Sequence, residues 1–507
     1  MKAEEAQYMK KIIAVVLSLC VILGCVGFTY AAEDVVLEKD YEVSDKIRNV
    51  SITMGSDPTT QRGVCWHTDE ESATAVQFVI ADKYEGTFEG AKTFRGSCES
   101  FKEIYVHKVT LTALKPGTEY VYRVGDDVNN EWSDIGTFRT DDGDENFKFI
   151  AIADVQAGNE DNFRKASNVM KTAYETMPDA EFYTSLGDYV NDCTQEEWDW
   201  YFDKFDFANS ELSIVPVAGN HDGNITNKVN HYWFDSMFNL DAAPDECIRA
   251  EGVYYAFDYG NAHIVVLNTN DMYPMTIQQT NWLKNEMNSS DAQWKIVLMH
   301  RAFYSAGKNL IKPDTIIMRE QLLPIFDELD IDLVMAGHDH VYMRTNQVKG
   351  DKLVEDVTYV TEMFNGVETT FAVDPDGACH ILPGTAGTKT YSINDYVFDA
   401  VFDSNIVNTC FSQRDIGDRG IFSTVEIQGG RLVYNAYAVD YETGEKELVD
   451  TYAIKKTTEG EAKDTPTLPT DYVTTGIAQI FNFVYRFAKL FYDYLVVIVP
   501  KLIINAI

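Results

Sequence analysis

A chain of 507 residues with a formal net charge of −38 and 45% hydrophobic residues is too long for one ordinary domain and apolar enough to bury two or three cores. The acidic balance excludes a nucleic-acid duplex as the main partner, because a polyanion is repelled over most of such a surface; a local cationic centre still attracts a phosphate.

Lys10 and Lys11 precede an apolar run from Ile12 to Phe28, followed by Ala31 and Ala32. This is the pattern of a signal peptide over 1–32, which implies an exported protein, secreted or held at the cell surface. Cys25 admits a lipidated alternative, although Leu23 stands where a small residue is required. Removing the leader leaves Cys65, Cys98, Cys193, Cys247, Cys379 and Cys410. An even set in an exported chain predicts disulfides, with sequence neighbours joined as Cys65–Cys98, Cys193–Cys247 and Cys379–Cys410.

From 45 to 140, strand patterns at 50–54, 63–67, 75–80, 105–111, 119–124 and 132–138 alternate with turns and predict an all-β sandwich. The run from His107 to Val124 resembles the end of a fibronectin type III-like module, and no catalytic constellation lies in it. An acidic segment, 141–145, reads as a linker. Beyond it, over 146–455, strands alternate with helical stretches at 161–175, 198–209, 278–287 and 316–329, the signature of an α/β domain.

Within that domain five short apolar runs end on polar residues of one kind. Asp154 follows 147–153, Gly187-Asp188 follows 182–186, Gly219-Asn220-His221-Asp222 follows 214–217, His300 follows 296–299, and Gly337-His338-Asp339-His340 follows 333–335. Open α/β sheets carry their chemistry at the C-terminal ends of strands. Asp, Asn and His offer hard oxygen and borderline nitrogen donors, suited to Fe, Mn, Zn or Mg rather than to a thiolate metal. Two ions about 3.5–4 Å apart share a carboxylate and clamp a phosphoryl group, and Asp188 is the natural bridge. His338 and His340 stand two apart, so in an extended tip they face one way and Asp339 another. His231, His263 and His380 read as packing or surface residues.

This ordered set resembles the calcineurin-like metallophosphoesterases, and within them the purple acid phosphatases, in which a fibronectin-like domain precedes the catalytic one. The resemblance runs from about 45 to 454 and extends to Pro383-Gly384-Thr385-Ala386-Gly387 and the closing strands 422–427 and 432–439. It implies a four-layer α/β/β/α catalytic domain behind a β-sandwich. It implies two metal ions, Asp154, Asp188 and His340 holding the first and Asp188, Asn220, His300 and His338 the second. His221 would donate to a phosphate oxygen or leaving group, with Asp222 orienting it. The implied activity is that of an exported phosphoester hydrolase in which a metal-bound hydroxide attacks phosphorus in line, acting on phosphorylated small molecules, phosphomonoesters first. Alternatives are a phosphodiesterase or nucleotidase on the same site, or a non-catalytic surface-binding protein with a structural metal.

Two positions depart from the family. Asn191 stands where the purple phosphatases have a ligand tyrosine, and Gln156 where the wider superfamily has a histidine. Either amide oxygen could complete the first metal, and neither gives the tyrosinate colour. The stretch from Arg301 to Lys308 lacks the phosphate-binding histidines of plant relatives, which leaves Arg301 or Lys308 to that role. After a Thr/Pro/Glu-rich linker, 456–475, the segment 476–507 is an apolar helix with one polar stripe, Gln479, Asn482, Arg486, Lys489 and Asp493. It predicts a membrane-surface helix, a self-association helix, or packing onto the chain's own domains.

Overall fold

Asn146–Ile152 alternates in and out, as a two-sided strand must. Phe147, Phe149 and Ala151 enter one core, whereas Ile150 and Ile152 enter another on the opposite face. The computed structural model describes residues 41–223, 232–240, 253–270, 274–460 and parts of 481–500. The expected leader, His231, Cys247 and residues 461–475 of the expected linker lie outside the described residues.

Asn146–Ile152 pairs in parallel with Phe182–Ser185, which pairs in parallel with Ser213–Pro216. Gly420–Gln428, Arg431–Val439 and Lys446–Lys455 extend this sheet antiparallel on the other side. A second sheet starts with the hairpin Tyr255–Tyr259 and Ala262–Leu267, then runs in parallel through Trp294–Arg301, Leu333–Gly337 and Ala378–Pro383. Phe149, Phe182 and Val215 of the first sheet share a core with Ile264, Ile296 and Leu333 of the second. Helices cover the outer faces. Glu160–Thr176 starts where the Asn159 side chain accepts from the Asn162 amide, carries Glu160 and Asp161 in its first turn, and buries Phe163, Ala166, Val169, Met170 and Ala173 at helical spacing. Leu322 and Phe326 of Pro313–Leu329 cluster with Val297 and Met299 of the second sheet. The result is the expected α/β/β/α order, with the C-terminal tips of both parallel sets at one edge.

The N-terminal module is a sandwich. Ala75–Ile80, Glu119–Asp126 and Gly136–Arg139 lie in a five-stranded sheet, and Arg48–Met54, Arg62–Thr68, Ile104–Leu111 and Ser97–Phe101 lie in the other sheet. Ile52, Val64, Trp66, Phe78, Tyr122 and Val124 fill the space between. The second of these sheets does not stop at the module's boundary. Thr53 pairs with Ile214 in parallel, so both modules share one twelve-stranded sheet. The acidic segment is correspondingly more than a spacer: Asp141 is buried and accepts from the Gly143 and Gly260 amides. Fully buried Arg62 ties the same junction, donating to Ser213 Oγ at 3.0 Å, Pro58 O at 2.7 Å and Arg139 O.

Two of the three expected disulfides, Cys65–Cys98 and Cys379–Cys410, are corrected by the sheet order; Cys247 of the third lies outside the described residues. Cys65, Cys98, Cys193, Cys379 and Cys410 are all free thiols. Ile104–Leu111 lies between the strands of Cys65 and Cys98, and Val341–Lys349 between those of Cys379 and Cys410. Two strand spacings are about 9.5 Å, beyond the reach of roughly 7 Å that a disulfide tolerates. Nearness in sequence misled because each pair straddles a strand that hydrogen-bonds to both.

Candidate metal centre

The first sheet brings carboxylates and an amide to the shared edge, and the second brings imidazoles. Asp188 Oδ1 stands 3.3 Å from His300 Nε2, which is 3.2 Å from Asn220 Oδ1 and 3.2 Å from His338 Nδ1. Asp154 Oδ1 stands 3.6 Å from His340 Nε2. Asp188, His300 and His338 form one group whose donor atoms lie within 4.8 Å of one another, and Asp154, Asp188 and His340 form another, so Asp188 is common to both.

Backbone strain marks the same residues. Asp154, Gln156, Asp188 and His338 adopt φ of 50°, 34°, 54° and 78°, a region that non-glycine residues rarely occupy and that clusters at functional sites. Their neighbours compensate. The His338 amide donates to the Asp154 carboxylate at 2.9 Å, and Thr385 Oγ1 donates to the Asp154 carbonyl at 2.6 Å. Gly187, at φ 90°, must lack a side chain, because a Cβ would lie 2.5 Å from His300 Nδ1. At Gly219 a Cβ would lie 2.3 Å from Asp188 Oδ1.

The metal-facing imidazoles are aimed by bonds at their other nitrogen. His300 Nδ1 donates to Leu186 O at 2.8 Å, and His340 Nδ1 to Lys389 O, which leaves each Nε2 unprotonated in the neutral ring. Burial lowers the His340 imidazole to about 3 and the His338 imidazole well below the usual range. Burial also raises the Asp154 carboxyl, helped by the charge of Asp188. Burial acts to raise Asp188 too, but the positive charge that the facing His300 can carry when no cation is bound outweighs it and holds that carboxyl below the usual range. Two carboxylates out of water, with the neighbouring His338 and His340 imidazoles held neutral by burial, call for a cation. Two further atoms agree: His340 Nε2 and Gln156 Oε1 are buried without a hydrogen-bond partner. The donor set therefore fits bound metal ions.

His221 joins the site from the first sheet's third tip. Its amide donates to Asp188 Oδ1 at 2.8 Å and its Nδ1 to the Asn191 carbonyl at 2.5 Å. That carbonyl orients the ring. Asp222 does different work: its carboxylate accepts from the amides of Asp188 at 2.9 Å, Tyr189 at 2.8 Å and Gly219 at 2.7 Å, binding two strand tips together. Asp339, buried and raised by that burial, holds the 305–309 loop through Ser305 Oγ and the Asn309 amide. Gln156 is buried at the turn, its amide donating to Asp188 O, whereas Asn191 Oδ1 faces Lys389 Nζ at 3.4 Å. Tyr189 is turned away: its hydroxyl donates to Ser185 O, and its ring packs on Trp198, Tyr201 and Phe238. His263 pairs with Asp258 at 2.7 Å, and His380 packs on Tyr304, so both stand apart from the centre.

Sequence reasoning missed Lys389 and Tyr391. The Tyr391 ring stacks on His340, centroids 4.5 Å apart, and Lys308 Nζ sits 3.6 Å above that ring. No motif marks these residues; their position depends on a loop that returns to the site after Ala378–Pro383. Arg301 is already engaged by Asp314 at 2.5 Å.

The amino-acid chain resembles known proteins over both modules. A family model for the purple acid phosphatase N-terminal domain matches 47–140, and one for calcineurin-like phosphoesterases matches 147–342. Human acid phosphatase type 7 is 24% identical over 316 residues, covering 57% of this chain and 65% of that protein. Purple acid phosphatase 15 of Arabidopsis thaliana is 22% identical over 379 residues, covering 69% and 64%. An uncharacterized Mycobacterium tuberculosis protein is 25% identical over 377 residues, covering 68% of each. In fold, the yellow lupin seed purple acid phosphatase superposes with a TM-score of 0.64 at 18% identity, covering 81% of this chain and 74% of that one. The two family matches meet at the acidic segment, and with the ordered donors at the strand tips they make this chain a purple acid phosphatase-like member of the calcineurin-like metallophosphoesterases, a metal-dependent phosphatase.

Proposed function

We propose that the chain is an exported phosphomonoesterase with a dinuclear centre. Asp154, Asp188, His340 and the Gln156 amide oxygen hold one ion, and Asp188, Asn220, His300 and His338 hold the other. The observation that carries this reading is the sharing of Asp188 between two donor groups, each able to take a cation. Gln156 is preferred over Asn191 because its buried Oε1 has no partner, whereas Asn191 Oδ1 meets Lys389. When bound, the ions supply Lewis acidity and an activated water.

The protein's own groups do the remaining work. His221, pinned at Nδ1 by the Asn191 carbonyl, presents Nε2 to a phosphate oxygen or the leaving group, and as the doubly protonated imidazolium it gives up the Nε2 proton there and keeps the one at Nδ1. Lys308 is the cation for the substrate phosphate: among the described residues it has no carboxylate partner, and it rests on Tyr391 beside His340, whereas Arg301 is spent on Asp314. The ordinary cost of holding Asp154 and Asp188 together is met in part by the amide of His338, and cations held there would offset the rest. The leader at 1–32 supports export, and the N-terminal sandwich takes a fibronectin type III-like role in presenting the enzyme. Metal analysis of the purified protein, paired with turnover of phosphomonoesters, diesters and nucleotides, tests the reading. Two ions per chain and a preference for monoesters are expected; a single ion, or a diester preference, overturns it.

A further inference from the structure

The described part of 481–500 is oriented the wrong way round for a helix in water. Its polar residues face the protein: Lys489 Nζ donates to Glu320 Oε1 at 2.9 Å, and Arg486 and Lys489 line, with Ile316, Glu320 and Leu323, a cleft against helix Pro313–Leu329. Ile498 closes that seat, 5% exposed on Ile316 and Ile317. Its large apolar residues face outward. Phe481 is 73% exposed and Phe491 62%, and Val484, Tyr485, Phe487, Tyr492, Leu495 and Val496 are each half exposed or more. An amphipathic helix on a globular domain normally buries its apolar stripe and shows water its polar one. Here the arrangement is inverted.

The exposed set amounts to an apolar area on the order of 10³ Å², against roughly 300–600 Å² for the largest patch on a typical monomer. Something covers it, and its shape and surroundings select what. At about 100° per residue, the exposed side chains from Phe481 to Tyr492 span roughly 160° of the helix, wider than the narrow seam of a two-helix contact. Two copies of a chain of charge −38 repel as they approach, and anionic lipid repels it likewise. The outward face carries Phe and Tyr, whose rings favour the boundary between headgroups and acyl chains. Among the described residues no helix is long and apolar enough to cross a membrane. We infer that this helix lies flat in the surface of a bilayer of low negative charge, with its apolar face immersed and the catalytic body held above by Lys489 and Ile498.

The test uses the full chain with vesicles of phosphatidylcholine. Flotation is expected to carry the protein with the vesicles, and replacing a third of the lipid with phosphatidylserine is expected to reduce binding severalfold at low salt. Val484→Glu/Phe491→Glu should lower partitioning at least tenfold while hydrolysis of a soluble phosphomonoester is unchanged, which shows that the variant is folded. Phe491→Trp supplies a conservative probe, whose emission should shift to the blue on adding vesicles. Absence of flotation and of the blue shift overturns the inference. So does a dimer in sedimentation without lipid that Val484→Glu/Phe491→Glu dissolves, since self-association would then be what covers this face.

Discussion

The metal centre and the helix at 481–500 break the same rule of burial in opposite directions. At the strand tips, carboxylates and imidazoles lie wholly out of water, with His340 Nε2 and Gln156 Oε1 unsatisfied. On the helix, phenylalanines and tyrosines stand in water while Arg486 and Lys489 face the body. Neither arrangement is stable by itself. The difference teaches what each lacks: buried polar donors define a cation of small radius and fixed geometry, whereas an outward apolar face defines only an extended, featureless solvent.

The strongest way to break this contrast is at the shared carboxylate. Asp188→Asn removes the charge that both donor groups use, and we expect loss of both ions and at least about a thousandfold loss of turnover, read by elemental analysis and kinetics. Full metal occupancy with a near-normal rate would mean the buried donors are not a metal site. A more selective cut is His221→Ala, expected to keep both metals and lower kcat by about a hundredfold or more, as befits a positioned acid. Unchanged kcat would remove His221 from proton transfer.

A third experiment sharpens which oxygen completes the first ion. Since Tyr189 points into the aromatic core and Asn191 faces Lys389, the iron-loaded protein should show no tyrosinate band in the visible, and Gln156→Ala should weaken metal binding by about 10–100-fold. A strong band abolished in Tyr391→Phe would assign the ligand to the ring that stacks on His340 instead.

The smallest effect concerns a partly buried acid settled by a proton rather than a metal. Glu181 accepts from Tyr259 at 2.6 Å, and burial pushes its carboxyl up to about 7. The folded state then holds a proton that the unfolded chain releases above its ordinary value of 4.5. Stability from this group is therefore full below about pH 4.5 and falls as pH rises through 7, by at most about 3 kcal/mol. Glu181→Gln should flatten the slope of Tm against pH between 5 and 8; an unaltered slope would place the proton elsewhere.

The strand tips were legible in sequence because each donor follows an apolar run whose length and position declare a buried strand. That rule put Asp154, Asp188, Asn220, His300, His338 and His340 at strand tips, and the division of them between two ions came from the family resemblance. Contacts made by returning loops were not legible: Lys389 and Tyr391 carry no local pattern, and the role of Asp222 lies in amides that only the folded turn presents. The pairings Cys65–Cys98 and Cys379–Cys410 failed for a related reason. Spacing along the chain does not say which strand is inserted between two others. The polar stripe of the last helix was visible as periodicity, but the inward orientation of its described members, Arg486 and Lys489, was not, since periodicity says which residues share a face and not which way that face looks.

The single pairing of Thr53 with Ile214 has a practical side. Ser213–Pro216 would otherwise be a raw parallel edge, its amides and carbonyls open to any passing strand. The N-terminal module seals it, with Ser51 and Thr53 also donating to Met237 O and Asn239 O. A fragment starting at 146 would keep every candidate ligand and yet present that unsealed edge to its neighbours in solution. The sandwich is in this sense a built-in chaperone for the catalytic sheet, and shortening the protein to its chemistry would be expected to trade a soluble enzyme for an aggregate.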